Sequence, residues 1–73
     1  MRRTLTAVLI RECDSFVALC PENDVAIQGN TVEEAKTNLR EAVELSFECA
    51  SAEEVQERLA AKSFVSSLEV KVA

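Results

Sequence analysis

The chain has 73 residues, 13 acidic and eight basic side chains, a net charge of −5 and no histidine. That balance argues against nucleic acid as the main partner, since a phosphate-binding surface needs clustered Lys and Arg, and here only Arg2 and Arg3 are adjacent. A chain this short makes one domain, residues 1–73, with a small core and only a few kcal/mol of stability as a monomer.

Residues 4–12 are rich in aliphatic and β-branched side chains and read as a first strand. Residues 15–20, Ser-Phe-Val-Ala-Leu-Cys, read as a second. The gap at Cys13-Asp14 allows nothing but an antiparallel hairpin. With that loop, Glu12 faces Ser15, Ile10 faces Val17 and Val8 faces Leu19, while Leu9 meets Ala18 and Ala7 meets Cys20. Both faces of the hairpin are then apolar. A sheet with helices on one side and water on the other alternates more cleanly. Either the second face is covered by another copy of the chain or by a partner, or one face carries small residues that water tolerates.

Pro21 stops the second strand, because it lacks the amide that the ladder needs. Glu22-Asn23-Asp24 is turn chemistry, and Val25 to Gln28 is a short third strand, antiparallel to the second. Gly29, the single glycine, is expected to supply a backbone conformation that a Cβ forbids. Thr31 and Glu34 form a T-x-x-E capping box. They open a helix over residues 32–49 whose apolar stripe is Val32, Ala35, Leu39, Ala42, Val43 and Phe47. Ser51 and Glu54 form a second capping box, opening a short helix that ends near Ala61. Residues 64–72 alternate, with Phe64, Leu68, Val70 and Val72 on one face and Val65, Ser67, Glu69 and Lys71 on the other. They read as a last strand at a sheet edge, where Glu69 and Lys71 discourage aggregation. The expected order is β-β-β-α-α-β, an α+β fold with helices on one face of the sheet and a right-handed return to the last strand.

Cys13, Cys20 and Cys49 fit no zinc spacing and no disulfide framework. Free thiols in a reducing cytoplasm are the plain reading. Without histidine there is no Cys–His or Ser–His pair to activate a nucleophile, so no catalytic, metal or cofactor residue is assigned. No apolar run has the length of a membrane span and no signal peptide is read, so a cytoplasmic location without membrane attachment is expected.

The run ALCPENDVAIQGNTVEEA from Ala18 to Ala35, continued by NLREAVEL from Asn38 to Leu45, closely resembles the HicB-like antitoxin family. The resemblance is continuous over residues 18–45. It is looser in the first hairpin, where Asp14 matches the family's acidic turn residue but the usual glycine is absent. Asn23 stands where an aliphatic residue is common. The resemblance implies a partly degenerate RNase H-like fold. It also implies a role in a type II toxin-antitoxin system: binding and neutralising a small basic HicA-type toxin, a double-stranded-RNA-binding fold that cleaves mRNA. Many members add a C-terminal DNA-binding segment. No residues remain for one here after the last strand, so a short form without direct nucleic-acid binding is expected.

An acidic chain facing a basic RNA-binding protein has complementary potential. Glu22, Asp24 and Glu33 are the candidate partner-facing acids, with Glu34 assigned mainly to capping. Two other readings compete. One is a stand-alone regulatory or structural homo-oligomer, dimer or higher, of unknown ligand. The other is a metal-dependent nuclease, for which Glu12, Asp14 and Asp24 are the available carboxylates, although they fall at turns and not inside strands.

Overall fold

The computed structural model describes residues 3–73; Arg2, half of the one adjacent basic pair, lies outside them. The element order is β1 (Val8–Glu12), β2 (Ser15–Cys20), β3 (Val25–Gly29), α1 (Val32–Cys49) and α2 (Ala52–Ala60). The three strands form one antiparallel sheet in the order β1-β2-β3. Among these residues no helix is long and apolar enough to cross a membrane.

The hairpin has the expected register, with Glu12 opposite Ser15, Ile10 opposite Val17, Leu9 opposite Ala18 and Val8 opposite Leu19. A two-residue loop leaves the strands no freedom to slip. The loop needs a positive φ, and Cys13 adopts it at 54°. A Cβ is unfavourable there by roughly 1–2 kcal/mol. Cys13→Gly is therefore expected to stabilise the fold by about 1 kcal/mol, read as a higher urea midpoint at unchanged slope. A lower midpoint would show that the turn gains nothing from relief of the Cβ.

Register puts Phe16, Ala18 and Cys20 of β2 on the same face as Val25, Ile27 and Gly29 of β3. α1 lies on that face. Its Ala35, Leu39 and Val43 join Ala18 and Cys20 as the buried core, with Leu5, Phe16, Val25, Ile27 and Phe47 packed around them. Leu and Val at i, i+4 spacing present one stripe to the sheet. Thr31 caps the helix by accepting the Glu34 amide at 3.0 Å, and Ser51 caps α2 by accepting the Glu54 amide at 3.2 Å. Both glutamate side chains stay exposed.

Three expectations are corrected. Gly29 has no positive φ. It is required by space, because a Cβ there would sit 2.6 Å from the Ala35 Cα and 2.9 Å from the Glu34 carbonyl carbon, and against the Ala35 amide nitrogen. Residues 64–72 form no strand within the single chain. They carry no regular structure, and Phe64, Val65, Leu68, Val70 and Val72 are all exposed. Strand pattern alone does not order a segment that has no paired neighbour. Finally, α2 buries none of its residues, so the helical layer on the sheet is α1 alone. What stands is a small α+β fold.

Candidate functional site

The residues between β2 and β3 form a four-residue loop. The Asn23 amide donates to the Cys20 carbonyl at 3.3 Å, an i to i+3 turn with proline at its favoured second position. Asp24 closes the loop with φ of 50°, a conformation Asp tolerates better than most side chains.

Glu22 does not face outward. It is 8 % exposed, and one carboxylate oxygen accepts the Thr6 amide at 3.0 Å while the other accepts the Thr6 hydroxyl at 2.6 Å. The Cys20 thiol donates to it at 3.6 Å. The cause lies in the neighbouring residue: extending the hairpin register places Thr6 opposite Pro21, and the Glu22 side chain takes up the Thr6 amide at that point. Burial alone pushes the Glu22 carboxyl up, but the Thr6 hydroxyl and amide outweigh it and hold the group below its ordinary value. Burial pushes the Cys20 thiol up, and the adjacent Glu22 carboxylate adds to this. Cys20 is thus a protonated core residue, while Cys13 and Cys49 are exposed free thiols.

The expected partner-facing acids are not brought together. Glu22 is internal. Asp24 and Glu33 are exposed, but they lie beyond opposite ends of β3, a strand of five residues that spans roughly 16 Å. Glu12 and Asp14 lie at the opposite end of β2 from Asp24, so these three carboxylates do not converge. Among the described residues no three His, Cys, Asp or Glu side chains gather as a metal site.

The chain instead forms an open groove of about 750 Å³ that wraps the outer edge of β3, with α1 on one side and Val17, Ala26 and Gln28 of the opposite sheet face on the other. Val17, Ala26, Ile27, Ala42 and Leu45 supply its apolar lining, with Gln28, Asn38 and Glu41 as polar members. Asn38 is fixed there because its side-chain amide donates to the Gln28 carbonyl at 3.0 Å. On α1, Glu34, Asn38, Glu41, Leu45 and Glu48 follow one another at helical spacing. Exposed carboxylates therefore recur along the helix face that borders the groove. Leu45 is 60 % exposed. It falls outside the stripe that packs on the sheet, and an apolar residue off the core stripe was the signal in the sequence that could have located this groove.

Chemically, the arrangement is one for contact, with an apolar floor, an acidic flank and a few placed amides. Such a combination suits a partner that presents apolar side chains within a basic surface. Comparison with protein-family models, with curated proteins and with solved structures finds no match for this chain.

Proposed function

We propose that this chain is an antitoxin-like binding protein that neutralises a small basic HicA-type toxin by masking its RNA-binding and active surface. The observation that carries the reading is the acid-flanked apolar groove at β3 and α1, with Leu45 exposed at its rim. The net charge of −5 and the resemblance over residues 18–45 support it. Charge complementarity speeds encounter and favours a basic partner, and an apolar anchor slows release.

The residues that carry the resemblance are largely used by architecture: Cys20 in the core, Pro21 and Asp24 in the turn, Glu22 on Thr6, Gly29 under α1 and Thr31 on the helix cap. Recognition then rests on residues such as Glu41 and Leu45, which have no comparable structural duty.

The test is an RNA-cleavage assay with the protein encoded beside this chain's gene, and a neighbour that is not a small basic RNA-cleaving protein would overturn the reading. Full inhibition near equimolar ratio is expected. Leu45→Arg is expected to weaken inhibition at least 30-fold, the effect of losing one hot-spot side chain of about 2 kcal/mol. Glu41→Lys is expected to weaken it less, and to flatten the loss of binding at high salt. If the wild-type chain leaves cleavage untouched, the reading fails. If the Leu45→Arg chain still inhibits fully, the groove is not the contact surface.

A further inference from the structure

Residues 64–72 combine two properties that conflict in an isolated chain. They alternate as a strand does, and five large apolar side chains among them are exposed, Phe64 at 88 % and Leu68 at 84 %. The radius of gyration is 14.1 Å, against roughly 11 Å for a compact chain of this length. The extended segment after α2 therefore lies away from the sheet that its pattern matches.

The sheet has two edges, and they are not equivalent. At β3 the Asn38 side chain occupies the Gln28 carbonyl, and α1 lies alongside. At β1 the helix barely reaches, and Leu9 and Ile10 are exposed. The Thr6 amide points inward, to Glu22. By antiparallel alternation Val8, Ile10 and Glu12 also bond inward, so Leu5, Ala7, Leu9 and Arg11 turn their backbone groups to the open edge. Nine residues, 4–12, carry strand pattern there, although only Val8–Glu12 is regular strand. The tail also offers nine residues of strand pattern.

We propose that residues 64–72 form a fourth strand on the β1 edge of a second copy of this chain, each copy donating its tail to the other. The exchange is isologous and closes as a dimer. It covers an open edge of the kind that invites uncontrolled pairing. It places the Phe64, Leu68, Val70 and Val72 face beside Leu9, on the part of the sheet that α1 leaves bare. Residues 4–7 then gain the partner that extends β1 to the length its sequence pattern indicates. This inference is independent of the toxin-binding reading, whose groove lies on the other edge.

The test uses the full chain at 50 µM by light scattering after gel filtration. A mass twice that of the 8.0 kDa chain is expected. Leu68→Asp with Val70→Asp changes two side chains that are exposed in the single chain, so the monomer fold is spared. This variant is expected to run as a folded monomer, with dimer dissociation raised at least 100-fold.

A second measurement separates exchange between copies from docking within one. A spin label is placed at Lys71→Cys, on the outer face of the segment and exposed in the single chain, in a Cys13→Ser, Cys49→Ser chain without isotope. That chain is mixed through unfolding and refolding with a ¹⁵N-labelled chain carrying no spin label. Broadening of the ¹⁵N amides of residues 5–11 is the expected result. A wild-type monomer at 50 µM, a double-aspartate variant that stays dimeric, or unbroadened amides in a mixed dimer would each overturn the proposal.

Discussion

Replacing Gly29 by alanine is expected to destabilise the fold by about 2 kcal/mol or more. Two effects of opposite sign compete. Gly29 has an ordinary negative φ, so alanine fits its backbone and lowers the entropy of the unfolded chain, a gain of roughly 0.4–1 kcal/mol. Against this, the new Cβ meets backbone atoms of Glu34 and Ala35 at 2.9 Å and less. Those atoms belong to the first turn of α1, and Ala35 is itself fully buried. No flexible side-chain end is available to move aside, so the turn itself must shift. Overpacking of this kind costs typically 1–3 kcal/mol and occasionally more.

The displacement is also communicated. The Ala35 amide donates to the Thr31 carbonyl at 2.9 Å, so pushing Ala35 outward loosens the cap as well as the core. In a domain of this size each 1 kcal/mol moves the melting temperature by about 4–8 °C, so a drop of roughly 10 °C or more is expected by calorimetry. Gly29→Val, with two further methyls against the same backbone, is expected to leave the chain largely unfolded at 37 °C. An alanine variant that melts at or above the wild-type temperature would show that the entropy gain wins and that α1 yields freely.

This position also shows how far the sequence could be read. A glycine between a strand pattern and a helix pattern is visible, but whether it serves dihedral freedom or space depends on what lies over it. The bounds of α1 were legible because Thr31, Glu34 and the apolar stripe all point to the same start and face. The hairpin register was legible because its loop has only two residues. The tail was legible as a strand pattern but not as a strand, since alternation records a surface that fits a sheet without saying whose sheet.

Glu22 was misplaced for a related reason. An acid in a turn is normally solvated, and only register places it over Thr6. The groove was the least legible feature, because it depends on which side of α1 overhangs β3. Leu45 was its one trace in the sequence.

Glu22→Gln is expected to cost about 1–2 kcal/mol at neutral pH and to cost progressively less as the solution is acidified. At neutral pH the carboxylate accepts two bonds from Thr6, and bonds to a charged acceptor are worth roughly 1.5–3 kcal/mol, against about 1 kcal/mol for a neutral one. Glutamine keeps the shape and one acceptor, so the loss is the difference and not the whole. The pH dependence follows from the direction of the shift. The folded chain holds the Glu22 carboxyl below its ordinary value, so the unfolded chain binds the proton more readily.

The contribution of Glu22 is therefore fully present above the ordinary carboxylate value and is lost as pH falls through the folded one. The glutamine chain has no such proton to bind. Urea unfolding of both chains over the acid range is expected to show two stability curves that are parallel at neutral pH and converge below the ordinary carboxylate value. Glu22→Ala removes both acceptors from the Thr6 amide and hydroxyl, and is expected to lie below the glutamine chain at every pH. Thr6 is only half-buried, so water recovers part of that loss, and the deficit stays nearer 2 kcal/mol than the upper end of roughly 1–3 kcal/mol for a buried group left unpaired. If the gap between the wild-type and glutamine chains stays constant into acid, the stabilisation comes from shape and packing at the turn, and the charge on Glu22 contributes nothing to holding β1 against the β2–β3 loop.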